Sequence, residues 1–559
     1  MKTIFYFIKN TCCIGLLFLF TTPVKASGPL KFRETVTPLG GPPKEYTLIN
    51  DSMKFSPDFK HVSYVAYPDK KHLYVYLNHK ISPAYLEIRR GYPKFSANNR
   101  HAYIAYTSKT KAICVVDWQP GPVFENIDQF KFSPDGKHYM YRAQKNGQQC
   151  IVFDGVPGPY FTGIPVKNNM KFSPDSNHYV YVAFTGKACV LVLDGKILPN
   201  TYNFIEDVTF SPDSDHFAFK ARLEHSKAGD KWQVIRDGKS GPVYNKIFNL
   251  VYSYDSKHFA YPAVKDRKMV LVVDGVEKPK QDIYGYPVYS PDSKSFAYAY
   301  ASNGKYCLNV NGKDNSADFD VIFKFFFSPD SSHYAYIAAK NKLWYVVYDN
   351  KKSDGYKKIA SFKFSPDSTR FAYSAVTNKN LGTVIIDEKP QKEYPTVGEA
   401  YFSPDSKHVV YKAVNKEKNL WATVIDGKMQ NRYYEGIGIY YFSKNSRHLA
   451  YHAMKKLNKI VMVVDEKEQC PGQAFKIIGE PCFSPDGNHI AYHAMLNKNT
   501  WKLIVDGHVL DNNYSGFIKT TPIIYDTSNH FHTIGVKNSA FVLIDVEIPE
   551  ESKIESSFK

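Results

Sequence analysis

Tryptophan, cysteine and methionine are all scarce in this chain, with 5, 8 and 9 residues in 559. No two cysteines have the spacing of a zinc site. The longest apolar run, residues 12–20 (CCIGLLFLF), is about half of the roughly 20 residues that a spanning helix requires. No Gly-x-Ser-x-Gly nucleophile turn, glycine-rich phosphate loop or paired-histidine metal helix occurs, which removes the α/β-hydrolases, the common nucleotide binders and the helical zinc proteases. Carboxylates are the minority charge, 54 against 72 lysines and arginines.

What is present begins with a short export signal. Lys2 and Lys9 precede the apolar run, and Val24-Lys25-Ala26 resembles a small-residue cleavage site, so residues 1–26 read as a signal peptide. Cleavage would remove Lys2, Lys9 and Lys25 and no acid, taking the net charge from +18 to +15. For an exported protein that charge favours acidic glycans, headgroups or acidic proteins over nucleic acid. The lysines are spread through the chain without a dense block, which also fits a plain solvated surface. Cys114, Cys150, Cys189 and Cys307 fall in apolar strand-like runs and read as small buried hydrophobes. Cys470 and Cys482 are able to form a disulfide in an oxidising compartment if their Cα atoms stand within about 7 Å.

One decapeptide organises the rest. Residues 172–181 read Phe-Ser-Pro-Asp-Ser-Asn-His-Tyr-Val-Tyr, and the opening aromatic returns at Phe55, Phe95, Phe132, Phe172, Phe210, Tyr252, Tyr289, Phe327, Phe364, Phe402, Phe442, Phe483 and Tyr525. Thirteen units at a period near 40, built of short strands, predict an all-β propeller with one four-stranded blade per unit. In the unit of residues 168–205, Met170 and Phe172 mark an inner strand. Ser173-Pro174-Asp175-Ser176 carries type I turn chemistry. Residues 178–184 and 187–193 are the second and third strands, and Asp194-Gly195 is a hairpin turn. The fourth strand is expected through Tyr202 to Ile205. Gly-Pro pairs follow the hairpin in several units, at Gly121-Pro122, Gly158-Pro159 and Gly241-Pro242. The Ser-Pro-Asp turn is degraded at residues 96–98, 253–255, 443–445 and 526–528.

These turns resemble the Pro-Asp (PD40) type of WD40-like repeat found in the TolB-like bacterial propellers, over roughly residues 30–548. The resemblance implies the fold and little about activity, since the motif marks a turn. The α/β domain that precedes the TolB propeller has no counterpart here, and TolB's partners are not carried over.

Propellers usually have four to eight blades, so the expectation is two β-propellers in tandem, six blades plus seven or alternatively seven plus six. Residues 27–278 would form the first ring and 279–546 the second, with 547–559 a flexible tail. The last unit lacks its outermost strand, and residues 31–48 hold strand-like runs around Gly40-Gly41-Pro42. An early strand completing a late blade is how a ring avoids open edges.

Candidate chemistry is sparse. His61, His101, His138, His178, His216, His258, His333, His408, His448 and His489 lie six residues after each opening aromatic, and His530 five after. One per blade, they cannot share a zinc ion and are expected to bond the turn or pack between blades. The repeated Asp is likewise too dispersed for calcium, and it lacks the spacer and Trp of a sialidase Asp-box. Tyrosine pairs such as Tyr139 and Tyr141 read as packing between blades. No catalytic, cofactor-binding or metal site is assigned, and no cofactor is expected. The chain reads as an exported, non-enzymatic scaffold of the periplasm or surface of a bacterium. It would bind a protein or an anionic envelope glycan through loop faces or ring mouths. The alternative is a propeller enzyme, a lyase or glycosidase with a site assembled from several blades.

Overall fold

The computed structural model describes residues 31–554, except 70, 167–169, 226–228, 279–281, 303, 457–458, 471 and 519–520. The expected signal peptide lies outside the described residues. Thirteen antiparallel sheets succeed one another, one per unit, and we number them as blades 1 to 13. In five blades the inner strand is split into two pieces on the same second strand, as Glu87–Ile88 and Lys94–Phe95 on His101–Ser108. In six others it stays whole but bulges, as between Asp128 and Lys131, where Gln129 has φ 53°. A bulge sharpens the twist of the strand that carries it.

The outer strand is shorter than its sequence suggested. In most blades it is two residues directly after the hairpin, such as Lys196–Ile197, followed by a single bridge as from Tyr202 to Cys189; blades 5 and 7 have longer ones, Lys239–Tyr244 and Lys313–Phe319. Phe204 and Ile205 belong to the next inner strand, Phe204–Phe210. The expected fourth strand at 202–205 therefore straddles two blades, because a short polar edge after Asp-Gly carries little hydrophobic rhythm to reveal it.

Packing between blades explains the tyrosines. The second strand buries one large ring fully, at Tyr64, Tyr103, Tyr141, Tyr181, Tyr336, Tyr373, Tyr411, Tyr451 and Tyr492. The aromatic of the preceding blade's outer edge meets it edge-on, as Phe124 to Tyr141 at 6.4 Å and 79°, or Tyr434 to Tyr451 at 6.5 Å and 78°. Burial of one such ring is worth about 1.5–3 kcal/mol, and edge-to-face geometry adds to it. The Gly-Pro glycines make room for these rings: a β-carbon on Gly121 would stand 3.3 Å from the Tyr141 hydroxyl and 3.1 Å from the Cys114 carbonyl.

The blades form one circuit. The backbone N–H of the turn Asp donates to the buried fourth-position Ser of the next blade: Asp135 to Ser176 at 3.0 Å, Asp255 to Ser293 at 2.9 Å, Asp367 to Ser406 at 3.1 Å. The expected ring boundary at 278/279 falls between blades 6 and 7, which are joined by that same Asp255–Ser293 bond. His493 reaches Thr533 between blades 12 and 13 at 3.3 Å. His532 Nε2 then reaches the Asp58 carbonyl of blade 1 at 2.7 Å, closing the circle. The division into six plus seven is not seen; thirteen blades follow one another in a single ring. The completing strand is as expected, since Arg33–Gly40 pairs with Ala540–Glu547 as the outermost strand of blade 13. Beyond it, Ile548 is buried, Ser552 Oγ donates to Asp506 Oδ2 at 2.8 Å and the Ile554 N–H to the Asn488 carbonyl at 3.2 Å. The described part of the expected tail is thus laid against blade 12. Cys114, Cys150, Cys189 and Cys307 are buried in third strands. Cys470 and Cys482 are both free thiols, the former donating to the Gly507 carbonyl.

Candidate functional site: the inner-strand lysines

The polar groups of the turn face are spent on structure. Ser133 Oγ donates to Asp135 Oδ1 at 2.6 Å and accepts the His138 N–H at 3.0 Å. Those bonds, with the Lys137 amide, hold the Asp135 carboxyl down to about 2. His138 Nδ1 meets Asp154 Oδ2 of the hairpin turn at 2.6 Å, and Asp154 Oδ1 accepts the Tyr139 N–H at 2.9 Å. The same clasp recurs at His178, His216, His258, His333, His408, His448 and His489. His61 pairs with Asn78 instead.

Two more histidines depart from the series. The turn of blade 2 is one residue short, so Arg100 takes the clasp position and bonds Asp117 at 2.7 Å. His101 moves into the strand, where it is buried and meets Ser63 of blade 1 at 2.7 Å. His530 lies between Asp526 at 3.0 Å and Asp545 at 3.6 Å. Among the described residues no three His, Cys, Asp or Glu side chains are grouped to hold a metal ion.

The inner edge differs. At this edge neighbouring blades touch strand to strand, Lys54–Phe55 against Lys94–Phe95. The residue before the opening aromatic is lysine in four consecutive blades: Lys54, Lys94, Lys131 and Lys171. Their ammonium groups reach along the ring: Lys94 Nζ donates to the Phe130 carbonyl of blade 3 at 3.0 Å, and Lys131 Nζ to the Met170 carbonyl of blade 4 at 2.6 Å. Among the described residues none of the four forms an ion pair with a carboxylate. Burial lowers the pKa of Lys94, Lys131 and Lys171, and like charge lowers it further, Lys131 acting on Lys94 and Lys171 on Lys131. The row ends at blade 5, where Thr209 holds the position and Lys220 is neutralised by Glu206 at 2.8 Å and Asp207 at 2.6 Å. Asp128 of blade 3 is turned to Arg142 and does not answer the row.

The lysines look scattered in the sequence because each is about 40 residues from the next. Aligning the units on their aromatics is the signal that finds them, since equal register on successive inner strands means proximity.

No family model matches the chain and no curated protein matches it. Among solved structures it is similar to a eukaryotic initiation factor, at 14% identity over 54% of this chain and 88% of that one, with TM-score 0.30. It is similar to TolB from Acinetobacter baumannii, at 15% identity over 48% and 78%, with TM-score 0.20. The β-propeller domain of the Trilobed protease from Pyrococcus furiosus matches at 12% identity over 54% and 97%, with TM-score 0.23. These likenesses concern the fold alone, and the blade architecture rests on the strand pairings described above.

Proposed function

We propose that this chain is an exported binding scaffold of a bacterial envelope that holds an anionic polymer, an acidic glycan, along the inner strands of blades 1 to 4. The observation that carries the reading is the row Lys54, Lys94, Lys131 and Lys171, cations on successive strands that form no ion pair among the described residues, with only Lys171 feeling a carboxylate, Asp207 of blade 5. Like charges held together at reduced dielectric cost free energy. A ligand bearing anions at intervals removes that cost and supplies charge-assisted bonds. Export follows from the reading of residues 1–26. Non-catalytic capture is favoured by a turn face whose carboxylates and imidazoles are engaged in clasps.

Titration of the mature chain with polygalacturonate, with neutral dextran as the control, tests it. Binding to the polyanion should weaken steeply with added salt and fall at least tenfold, about 1.4 kcal/mol, in Lys94→Gln/Lys131→Gln/Lys171→Gln. Equal binding by that variant, or binding indifferent to salt, would overturn the assignment. Shortening of the polymer during the titration would replace the scaffold with the lyase or glycosidase alternative.

A further inference from the structure

Blades 6 and 7 enclose a cavity of about 570 Å³ on the turn side of their junction. Val273 and Asp274 of blade 6 line it, and Tyr289, Phe296, Tyr298 and Asp314 of blade 7 face them. We propose that this cavity is a socket for the arginine side chain of a partner polypeptide.

Five sister junctions fill the equivalent place from within. Two positions supply the filling group. One is the residue before the hairpin aspartate. There, Phe153 stacks on Tyr179 at 4.4 Å, Tyr348 on Phe371 at 4.4 Å, and the Arg236 guanidinium lies 5.3 Å from the Tyr252 ring and 5.4 Å from Phe259. The other is the clasp position. There, the Arg100 guanidinium stands 5.6 Å from Tyr139 with Nε on Asp117 at 2.7 Å, and that of Arg370 stands 5.6 Å from Phe402 with Nε on Asp387 at 2.9 Å. The chain thus builds the same site three times around its own arginine: an opening aromatic below, a hairpin aspartate beside it.

At the junction of blades 6 and 7 the walls remain, and among the described residues neither position carries an arginine or a large aromatic, as is also so in blades 11 and 12 with Val464 and Val505. Tyr289 and Phe296 hold the two aromatic positions, and Asp274 is the hairpin aspartate. The residue before it is Val273, smaller than the Phe153, Tyr348 or Arg236 of sister blades. The clasp residue is His258, held to Asp274 at 2.9 Å and stacked on Tyr289 with ring centres 6.3 Å apart, which leaves Phe296 and the two carboxylates for a ligand. Blade 7 opens the cavity further by losing its own clasp. Ser295 stands where the imidazole would be, and Asn311, where the aspartate would be, donates to it at 3.0 Å. A second carboxylate, Asp314, is exposed, takes one Asn309 N–H at 2.7 Å and also bonds the Tyr300 hydroxyl.

A guanidinium suits these walls better than an ammonium does. It stacks flat on an aromatic face while its edge donates to a carboxylate, the two contacts that Arg100 and Arg370 make. Lys278 and Lys294 at the rim repel a run of basic residues and attract a neighbouring acid. The fitting segment is therefore one arginine flanked by glutamate or aspartate.

The test uses the full mature chain and the fluorescent peptide Gly-Glu-Arg-Glu-Gly, with its lysine analogue as control, read by anisotropy. The arginine peptide should bind, and the lysine peptide about tenfold more weakly or not at all. Val273→Arg, which gives blade 6 the residue that blade 5 carries as Arg236, should abolish peptide binding without lowering the melting temperature. Val273→Phe, on the pattern of Phe153, is the second filling variant should the first fail to fold. Asp314→Asn should weaken binding severalfold. No binding of the arginine peptide to the parent chain, or equal binding by a folded filled variant, would overturn the proposal. Polygalacturonate binding should be untouched by all three substitutions, which separates this socket from the lysine row.

Discussion

Asn445 of blade 11 stands over Gly487 of blade 12, its Nδ2 donating to the Asp486 carbonyl at 2.6 Å, so that a β-carbon on Gly487 would lie 2.7 Å from the carboxamide. The same pair occurs between blades 2 and 3 as Asn98 and Gly136. At most other junctions the partners are Asp and Ser, as Asp405 and Ser446 at 2.9 Å, while Asp58 of blade 1 meets Asn99 of blade 2. The two degraded turns at 96–98 and 443–445 are therefore matched to their neighbours. Wherever the turn aspartate becomes asparagine in these two places, the serine opposite becomes glycine. Gly487→Ser alone should lower stability by about 1–3 kcal/mol. Asn445→Asp with Gly487→Ser should recover much of it, giving a coupling energy of about 1 kcal/mol in a thermal-melt double-mutant cycle. Additive losses would show that the junction does not couple the two residues.

Closure of the ring depends on the first described strand. Its Glu34 accepts from Asn512 Nδ2 at 2.8 Å and from the Tyr514 hydroxyl, and Val36 packs on the core of blade 13. Val36→Asp buries a charge beside Ile544 and should cost about 2 kcal/mol or more. It should also free Ala540–Glu547 as an open edge that draws chains into aggregates. Light scattering on heating measures it, and a variant as monodisperse as the parent would count against this mode of closure.

Buried imidazoles give blades 2 and 12 an acid limit. His493 lies against Phe517 with ring centres 3.9 Å apart and is lowered to about 3 by burial; His101 is lowered to about 4, burial outweighing the Asp117 charge. The unfolded chain binds these protons near pH 6.5 and the folded chain does not, so stability falls as pH drops from 6.5 towards 4. Denaturant melts at pH 7 and pH 5 should show the loss, and His493→Gln should reduce it.

Glu466 works in the opposite sense. Burial raises its carboxyl to about 7 even though the Tyr451 hydroxyl donates to it at 3.0 Å. Protonation is then easier folded than unfolded, so this group's contribution is full below about pH 4.5 and is lost as pH rises through 7. Glu466→Gln should stabilise the chain at pH 8 by about 1–3 kcal/mol and change little at pH 4.5. A gain equal at both pH values would remove titration as the cause.

Relief of the lysine row supplies a further check. Lys131 sits between Lys94 and Lys171, and its charge is opposed by burial and by Lys171. Without ligand, Lys131→Gln should leave the melting temperature equal or raised, while polyanion binding falls. A marked loss of stability would mean that the bond to the Met170 carbonyl, not repulsion, dominates.

The sequence by itself determined the blade. The Phe-Ser-Pro-Asp turn, the Asp-Gly hairpin and the tyrosine-rich second strand are local chemistry, each set by φ preferences and alternation within a few residues of chain. It also announced the missing outermost strand of the last unit. The tertiary structure decided what depends on neighbours about 40 residues away. It placed all thirteen blades in one circuit, because how many twisted sheets close a ring follows from the angle between packed faces and no local signal carries that angle. It moved His101 out of the clasp series through a one-residue shortening. It brought four dispersed lysines into one row, and placed a cavity beside Val273. Turns are written in the residues that make them, whereas a binding surface is written in the differences between equivalent residues of successive blades.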